Sequence, residues 1–240
     1  MEEYISKTQD IDLLSNYFPV ISKKIADVLV HVVDDSLNVI QQDSSIWERH
    51  LISQGFDTGA KHFTYTTLTA IKGLQSASEL AKKLHETSLS KKYLQVSQDL
   101  VKGFLTHQIS EKQIIKDSYE RETKYIDASV VEAINFGIVE SNSSLTRNTL
   151  KAFEDVLSMP YRKFGYKRTE GPDLYDRREW IVMDLRIAAA YKKLGDSERG
   201  QELLDWVTEQ SEQNFNLISE LYTIKSSNFA FSILSIDLKA

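Results

Sequence analysis

The sequence predicts an all-α protein built from antiparallel helical hairpins. Apolar residues recur at helical spacing in several long segments, and the strict alternation of half-buried strands is scarce. Capping residues and turn signals separate these segments, which favours antiparallel neighbours. The chain has 240 residues, of which 41% are apolar, so it can bury a substantial core. That length fits one large domain or two small ones, and we take residues 1–240 as a single domain.

The first helical segment spans residues 10–33. Pro19 either bends this helix or marks its true start, because proline lacks a backbone N–H. One apolar stripe follows the whole segment at helical spacing and is expected to face the core. The stripe consists of Leu13, Leu14, Phe18, Ile21, Ile25, Val28, Leu29 and Val32.

Three helical hairpins follow the first segment. In the first and third hairpins, small-residue stretches at 76–78 and 188–190 permit close helix packing. Asp127 or Ser129 could cap the first helix of the second hairpin, and Gly195-Asp196 separates the helices of the third with a helix-stop glycine and a capping aspartate. The paired segments are 61–84 with 91–105, 129–139 with 144–158, and 178–194 with 197–214.

Repeated antiparallel pairs fit two architectures, an open α-solenoid and a closed ring of hairpins. Residues 190–206 look like part of a tetratricopeptide repeat. An array of that kind needs a second copy about 34 residues away, and the sequence contains none. The solenoid is therefore the weaker alternative.

The composition excludes several classes of partner and chemistry. The formal net charge is −6, and no basic run could neutralise a phosphate backbone, which argues against nucleic acid. The absence of cysteine excludes disulfides and thiolate chemistry, and the five histidines show no ligand spacing, so no metal and no cofactor are predicted. Because no apolar run reaches membrane-spanning length and the first residues lack the apolar core of a signal peptide, we expect a soluble, cytoplasmic protein.

The loops carry the residues that suggest a function. Residues 44–50 place Trp47 beside Glu48, residues 159–180 crowd aromatic, arginine and acidic side chains together, and Glu220 lies in a further loop. Loops of this length in a compact domain are usually functional. Aromatic faces stack on sugar rings and charged groups hydrogen-bond hydroxyls, so these loops favour a carbohydrate ligand. The irregular stretches are 35–60, 110–126, 159–177 and 214–228.

Four motifs stand in order along these stretches. The first joins Trp47-Glu48 to Phe63-Thr64-Tyr65 at the start of a small-residue helix. The second motif consists of Arg168, Tyr175, Trp180, Tyr191 and Gly195. The third contains Glu220 in NFNLISELYT, and the fourth contains Phe231-Ser232 in NFAFSILS. Over residues 11–235 these motifs resemble glycoside hydrolase family 15, the glucoamylase and glucodextranase family of inverting α-glucan hydrolases.

The resemblance implies a ring of helical hairpins, an (α/α)6 toroid, with the catalytic loops gathered at one end. This chain supplies fewer hairpins, so the toroid is expected to be shortened, with the N-terminal hairpins of the family absent. The family segment whose arginine and aspartate grip the sugar has no counterpart in residues 1–10. The expected partner is a separate chain that supplies the missing hairpins, or a second copy in a homo-oligomer; otherwise the shortened ring closes differently.

The resemblance also implies hydrolysis of an oligosaccharide or polysaccharide α-glucoside with inversion and release of glucose. One protonated carboxyl gives a proton to the departing oxygen, and one carboxylate activates water. By the resemblance, Glu48 takes the first role and Glu220 the second. An indole beside Glu48 is compatible with this assignment, because it disfavours the charged carboxylate. Arg49 stands where many relatives have a second acid. The implied substrate contacts are Trp47, Arg49, Tyr65, Arg168, Tyr175 and Trp180.

Simpler interpretations exist for these residues. Glu220 could follow Ser219 as a cap at a helix N-terminus, and Arg168 could form a surface ion pair with Glu170 or Asp173. The alternative function is a non-catalytic module, either a catalytically inactive relative that senses carbohydrate or an α-helical repeat that binds protein.

Overall fold

The computed structural model describes residues 1–48, 59–121, 125–160, 165–171 and 175–222. The chain forms two compact units. The first contains Met1–Ile109 and Asp117–Glu122, and the second contains Ser110–Lys116 and Thr123–Ala240. Helices dominate both units, and none of the helices in the described ranges combines the length and apolar character needed to cross a membrane.

Among its described residues, the first unit contains helices and a short β-hairpin. Its elements are α1 (Glu2–Thr8), α2 (Ile11–Val20), a π-helix (Ile21–Ala26), α3 (Asp27–His31), β1 (Val33–Asp34), β2 (Val39–Ile40), α4 (Thr64–Lys83) and α5 (Thr87–His107). The helices α4 and α5 pack against each other across a short turn, which confirms the first predicted hairpin. Small side chains allow the close contact: Ala77 and Ser78 are buried, and the Ser78 hydroxyl donates to the Ser90 carbonyl at 2.9 Å.

The N-terminal helices bury a different set of residues from the apolar stripe predicted for them. Ile25 and Val28 were expected in the core, and this prediction is wrong, because they are 52% and 50% exposed. The shift arises because residues 21–26 form a π-helix, whose i→i+5 hydrogen bonds place more residues in each turn than an α-helix does. Pro19, which cannot donate a hydrogen bond, comes just before this change. The residues buried at four-residue intervals are Leu14, Phe18, Ser22 and Ala26.

A short β-hairpin follows, partly within a stretch predicted to be irregular. The strands β1 and β2 pair antiparallel, with Val33 opposite Ile40. Asp34 holds the turn by accepting hydrogen bonds from the backbone N–H and the hydroxyl of Ser36, at 2.9 and 2.6 Å. The Ser36 hydroxyl is the main reason that the pKa of Asp34 is lowered to about 2.

The second unit contains the third predicted hairpin. Its elements are a 3₁₀-helix (Ala128–Val131), α6 (Glu132–Asn135), α7 (Ser144–Ala152), a π-helix (Phe153–Leu157), β3 (Glu179–Trp180), α8 (Ile181–Leu194), α9 (Ser197–Gln213) and β4 (Leu221–Tyr222). Gly195 ends α8 in the left-handed conformation at φ 97°, which glycine adopts without steric cost. Asp196 then caps α9 by accepting the N–H of Arg199 at 3.0 Å. Since α8 and α9 pack against each other, the third hairpin is confirmed.

The second predicted hairpin is less regular. Asp127 is its cap, because its carboxylate accepts the N–H of Ser129 at 2.8 Å. The helix that follows ends at Asn135, earlier than predicted. Ser143 caps α7, which continues into the second π-helix. The first helix of this pair was therefore predicted too long, whereas the second is well placed.

The start of the third hairpin also differs from the prediction. Glu179 and Trp180 form β3 rather than the first turn of a helix, and β3 pairs antiparallel with β4, with Trp180 opposite Leu221. The N–H of Trp180 donates to the carbonyl of Tyr166 at 2.8 Å. These pairings join residues far apart in the chain, so the periodicity of one segment could not reveal them.

Candidate functional site

Glu220 lies at a corner of the second unit where β3 and β4 meet. It directly precedes β4, and its carbonyl accepts the N–H of Ile181, the first residue of α8, at 3.3 Å. Glu220 is exposed, and its carboxylate accepts a hydrogen bond from the phenol of Tyr175 at 3.1 Å. Because Glu220 stands in a bend before a strand, the helix N-terminus interpretation is wrong.

Three side chains form a stack beside Glu220. The rings of Tyr175 and Trp180 meet edge to face with centroids 5.0 Å apart, and the indole N–H of Trp180 donates to the Tyr175 carbonyl at 3.3 Å. The Arg168 guanidinium lies 4.5 Å from the Trp180 ring centroid and 4.9 Å from that of Tyr175. A cation at this distance is attracted to the face of an aromatic ring. The stack therefore orders a positive charge and two aromatic rings next to a carboxylate.

Asp176 orients the guanidinium of this stack. Arg168 Nε donates to Asp176 Oδ1 at 2.5 Å, and the two side chains are only 15% and 17% exposed. Gly171 leaves space for the carboxylate, because a Cβ at that position would collide with Asp176 Oδ2. Of the two partners considered from the sequence, Glu170 accepts a backbone N–H at 2.7 Å, and Asp173 lies outside the described residues. Asp176 was missed, although an acid directly after Tyr175 was the available signal.

The phenol of Tyr175 is held in its protonated form. Burial is the larger cause that raises the pKa of Tyr175, and the hydrogen bond to Glu220 raises it further. A phenol that keeps its proton remains a donor to the Glu220 carboxylate. The bond gives an exposed carboxylate a fixed direction, and a positioned carboxylate is what proton abstraction from water needs.

A cleft of about 490 Å³ opens beside Glu220. The indole of Trp180 forms part of its wall, and among the described residues Ser219 and Glu220 are the polar ones that line it. The aliphatic side chains of its wall are Ile181, Val182, Leu185 and Ile218. The carboxylate, the aromatic stack and an apolar cleft are therefore contiguous.

Trp47 and Glu48 lie on a tight turn of the first unit. The N–H of Glu48 donates to the Ser45 carbonyl at 3.2 Å, and Ser45 and Glu48 have positive φ values of 59° and 49°. This conformation is uncommon for residues other than glycine and recurs at functional sites. Glu48 is exposed and Trp47 is half-buried, so the turn presents the Glu48 carboxyl to solvent.

The turn is tied to the residues that precede α4. Asp43 and Lys61 form an antiparallel backbone bridge with hydrogen bonds of 3.0 and 3.2 Å. The Asp43 carboxylate also accepts the N–H of Ser45 at 2.5 Å, and burial raises the pKa of Asp43. Tyr65 is half-buried in the first turn of α4. The same part of the first unit thus carries the turn and Tyr65.

The structure places the predicted site residues in two groups. Trp47, Glu48 and Tyr65 belong to the first unit. Arg49 and the motif at 231–232 lie outside the described residues. The residues that contact one another in the second unit are Arg168, Tyr175, Trp180 and Glu220.

His62 connects three parts of the first unit. Its Nδ1 lies 2.6 Å from a Glu120 carboxylate oxygen, and its Nε2 lies 3.2 Å from Asp34 of the β-hairpin. Within the described ranges, no group of three or more histidine, aspartate or glutamate residues has an arrangement that could hold a metal ion. The contacts of His62 therefore fasten the hairpin and a loop to the start of α4.

A second carboxylate cluster lies in the second unit. Glu154, on the second π-helix, accepts hydrogen bonds from the phenol of Tyr166, from that of Tyr191 at 2.7 Å and from Arg199 Nε at 3.2 Å. Tyr166 is fully buried, and burial raises the pKa of both phenols. The cluster joins the π-helix, the segment before β3, and the helices α8 and α9.

Comparison with known proteins identifies solved structures of similar fold. No family model matches the sequence, and no curated protein matches it. A bacterial glucoamylase complexed with acarbose has a TM-score of 0.67 at 14% identity, over 85% of this chain and 34% of that one. A glycosidase in complex with glucose has a TM-score of 0.59 at 17% identity, over 70% of this chain and 42% of that one. A GH78 family rhamnosidase of Bacillus sp. GL1 has a TM-score of 0.60 at 17% identity, over 95% of this chain and 22% of that one.

These similarities concern the fold. The chain spans between 22% and 44% of the length of the glycosidases that it matches. Its packed helix pairs and the shared architecture confirm the predicted fold class, antiparallel helical hairpins of the α/α-toroid type. The chain has the fold of glycoside hydrolases built from helical hairpins.

Proposed function

We propose that this protein is a glycoside hydrolase of the family 15 type, which cleaves α-glucans or α-glucosides with inversion and releases glucose. In this reaction the glycosidic C–O bond breaks, and a bond forms between the water oxygen and the anomeric carbon. Glu48, protonated, gives its proton to the departing oxygen, and Glu220, ionised, takes a proton from the attacking water. The products are glucose and the free hydroxyl compound.

The arrangement around Glu220 carries the proposal. Glu220 is exposed and oriented by the phenol of Tyr175 at 3.1 Å. Beside it, Arg168 is stacked on Trp180 and held by Asp176. Aromatic faces and guanidinium donors are the groups that bind sugar rings and hydroxyls. The corner therefore combines a carboxylate suited to a general base with groups suited to a glycosyl ligand.

The role of Glu48 rests on the order of the sequence motifs and on its turn. Two residues of the turn have left-handed backbone conformations, and the buried side of the turn is fixed by Asp43. Backbone strain of this kind is retained where a side chain must be presented in one direction. Trp47, directly before Glu48, supplies a half-buried aromatic ring for a sugar face.

We also propose that a separate chain, or a second copy of this one, packs on the N-terminal helices. The support is their apolar side chains at the surface. Tyr17, Val20, Ile25 and Val28 are each between 50% and 55% exposed. Apolar side chains grouped on exposed helices are typical of protein interfaces.

Glucose release by the purified chain tests the proposed function. The substrates are maltose, maltotriose, isomaltose and trehalose, and NMR of the maltotriose reaction identifies the anomer of the glucose first released, which is β for inversion at an α-linkage. Glu48→Gln and Glu220→Gln are each expected to lower kcat by about a hundredfold to ten-thousandfold. The matched control is Glu79→Gln, an exposed glutamate of α4, which is expected to keep the wild-type rate.

Three outcomes would contradict the proposal. Full activity in Glu220→Gln would show that Glu220 is not the general base. Full activity in Glu48→Gln would show that Glu48 is not the general acid. Release of α-glucose from maltotriose as the first product would contradict inversion. If the folded chain releases no glucose from any of these substrates, the alternative of a carbohydrate-binding module without catalysis is favoured.

A further inference from the structure

Glu179 is a buried acidic residue that the proposed reaction does not use. It is fully buried, and its Oε1 accepts the indole N–H of Trp206, on α9, at 2.6 Å. A carboxyl group is rarely buried without a partner, because it loses its hydrogen bonds to water. Gly165 leaves room for this one, since a Cβ at that position would lie 2.6 Å from Glu179 Oε1. The bond between Glu179 and Trp206 therefore fastens a strand residue to a helix that lies further along the chain.

Glu179 lies on the opposite face of β3 from the aromatic stack. Consecutive side chains of a strand point to opposite faces, and Glu179 and Trp180 are the two residues of β3. Glu179 reaches α9, whereas Trp180 contacts Arg168 and Tyr175. Trp180 is only 4% exposed, so the groups that pack around β3 set its position. The bond to α9 is one of the contacts that fix this strand from behind.

The strand β3 also joins the segments that carry the other members of the candidate site. On one side, Glu179 forms a backbone bridge with the residue directly before Arg168. On the other side, Trp180 pairs with the residue directly after Glu220. A displacement of β3 would therefore move the backbone next to the guanidinium and the backbone next to the carboxylate together.

We infer that Glu179, through its bond to Trp206, is a positioning residue for the candidate site. It holds β3 on α9 and thereby sets the positions of Trp180 and Glu220. The inference rests on the proposed function, because a positioning role presupposes that Glu220 acts on a water molecule. Catalytic groups lose much of their effect when they are displaced by about 1 Å, so the support behind them matters as much as the groups themselves.

Hydrogen exchange of the Trp180 indole tests this anchor in the full chain without any substrate. The indole N–H donates to the Tyr175 carbonyl at 3.3 Å and gives one of three indole signals in an NMR spectrum, because the sequence has three tryptophans. Trp180→Phe assigns the signal. Trp206→Phe keeps an aromatic ring and removes the indole donor, so exchange at Trp180 is expected to become at least about fivefold faster.

Tyr191→Phe is the matched control, because it also removes one donor to a carboxylate of the second unit, that of Glu154. It is expected to leave exchange at Trp180 within about twofold of wild type. Glu179→Ala removes the acceptor instead of the donor and is expected to speed the exchange as Trp206→Phe does. Circular dichroism checks that each variant folds, and Trp206→Phe alone decides the test if Glu179→Ala does not.

Steady-state kinetics with maltotriose measure the consequence for catalysis. In Trp206→Phe, kcat is expected to fall about tenfold, because the carboxylate of Glu220 and the stack beside it lose their fixed relation. In Tyr191→Phe, kcat is expected to stay within about twofold of wild type. A general loss of stability would lower both values at the assay temperature, whereas loss of the anchor lowers one.

The outcomes separate this inference from the proposed function. Unchanged exchange at Trp180 in Trp206→Phe overturns the inference, even if the chain hydrolyses glucosides. Equal acceleration in Tyr191→Phe also overturns it, because the effect is then one of overall stability. Faster exchange with a wild-type kcat overturns the positioning role. Faster exchange that is confined to Trp206→Phe and Glu179→Ala supports the anchor, even if no glucoside is hydrolysed and the proposed function fails.

Discussion

Glu154 and Glu220, two carboxylates of the second unit, both lie near tyrosine and arginine side chains. They differ in the number of hydrogen bonds that they accept. Glu154 accepts hydrogen bonds from two phenols and from Arg199, at 2.7 Å for Tyr191 and 3.2 Å for Arg199 Nε. One of the phenols, that of Tyr166, is fully buried. A carboxylate oxygen that accepts this many donors holds neighbouring elements together.

Glu220 shows the opposite arrangement. It accepts the phenol of Tyr175 at 3.1 Å and is exposed, while the nearby Arg168 is paired with Asp176 at 2.5 Å. Residue types therefore do not separate a structural carboxylate from one that we propose to be catalytic. The separation comes from how many donors the fold brings to the carboxylate and whether water reaches it.

The largest expected difference between the two carboxylates is in stability. Glu154→Gln replaces the charged acceptor of several donors by a neutral one, so the free energy of unfolding is expected to fall by about 1–3 kcal/mol. Glu220→Gln changes an exposed side chain and is expected to change that free energy by less than about 0.5 kcal/mol. Urea unfolding followed by circular dichroism measures both values. Equal losses of unfolding free energy in Glu154→Gln and Glu220→Gln would contradict the structural difference between the two carboxylates.

Catalytic activity is expected to depend on the tyrosine that donates to Glu220 and not on a tyrosine that donates to Glu154. Tyr175→Phe removes the donor that orients Glu220, so kcat is expected to fall about tenfold while KM stays within about twofold. Tyr191→Phe removes a donor to Glu154 and is expected to keep kcat and to lower the free energy of unfolding by about 1 kcal/mol. Steady-state kinetics on the best glucoside decide the first value. An unchanged kcat in Tyr175→Phe would show that this phenol does not position the carboxylate.

The smallest expected effect is the pH dependence of one phenol. Burial, followed by the neighbouring Tyr191 and Glu154, raises the pKa of Tyr166 above the ordinary value of 10.0. A raised pKa means that the stabilising contribution of Tyr166 is complete below about pH 10 and is lost as the pH rises through the folded-state pKa. Urea unfolding of wild type and Tyr166→Phe is therefore expected to give a constant difference between about pH 7 and pH 9 and a smaller one above about pH 10.

The same measurement on Tyr175→Phe provides the comparison. The pKa of Tyr175 is also raised, so the sign is the same, but this residue is 38% exposed and its effect is expected to be smaller. A stability difference for Tyr166→Phe that grows above pH 10 would contradict the assignment of a raised pKa.

The helical hairpins could be predicted because their signals are local. Gly195 and Asp196 end one helix and begin the next with bonds inside a few residues, and Asp127 caps its helix in the same way. The predicted register of the N-terminal helices was wrong because the π-helix after Pro19 changes the number of residues per turn. The β3–β4 pairing was not predicted, because its two strands lie in different segments of the chain.

The sequence by itself therefore determined an all-α protein of antiparallel hairpins, with its aromatic, arginine and acidic residues in the loops. Through the family resemblance that the motif order carries, the sequence also predicted a single site, with Trp47, Glu48, Arg49, Tyr65, Arg168, Tyr175, Trp180 and Glu220 as its members. Only the tertiary structure decided that Asp176 holds the arginine, that Glu154 accepts two phenols and an arginine while Glu220 is exposed, and that an apolar cleft adjoins Glu220. The reason is physical: capping and helical periodicity act within one or two turns, whereas the bonding of a carboxylate depends on side chains that the fold brings from distant segments.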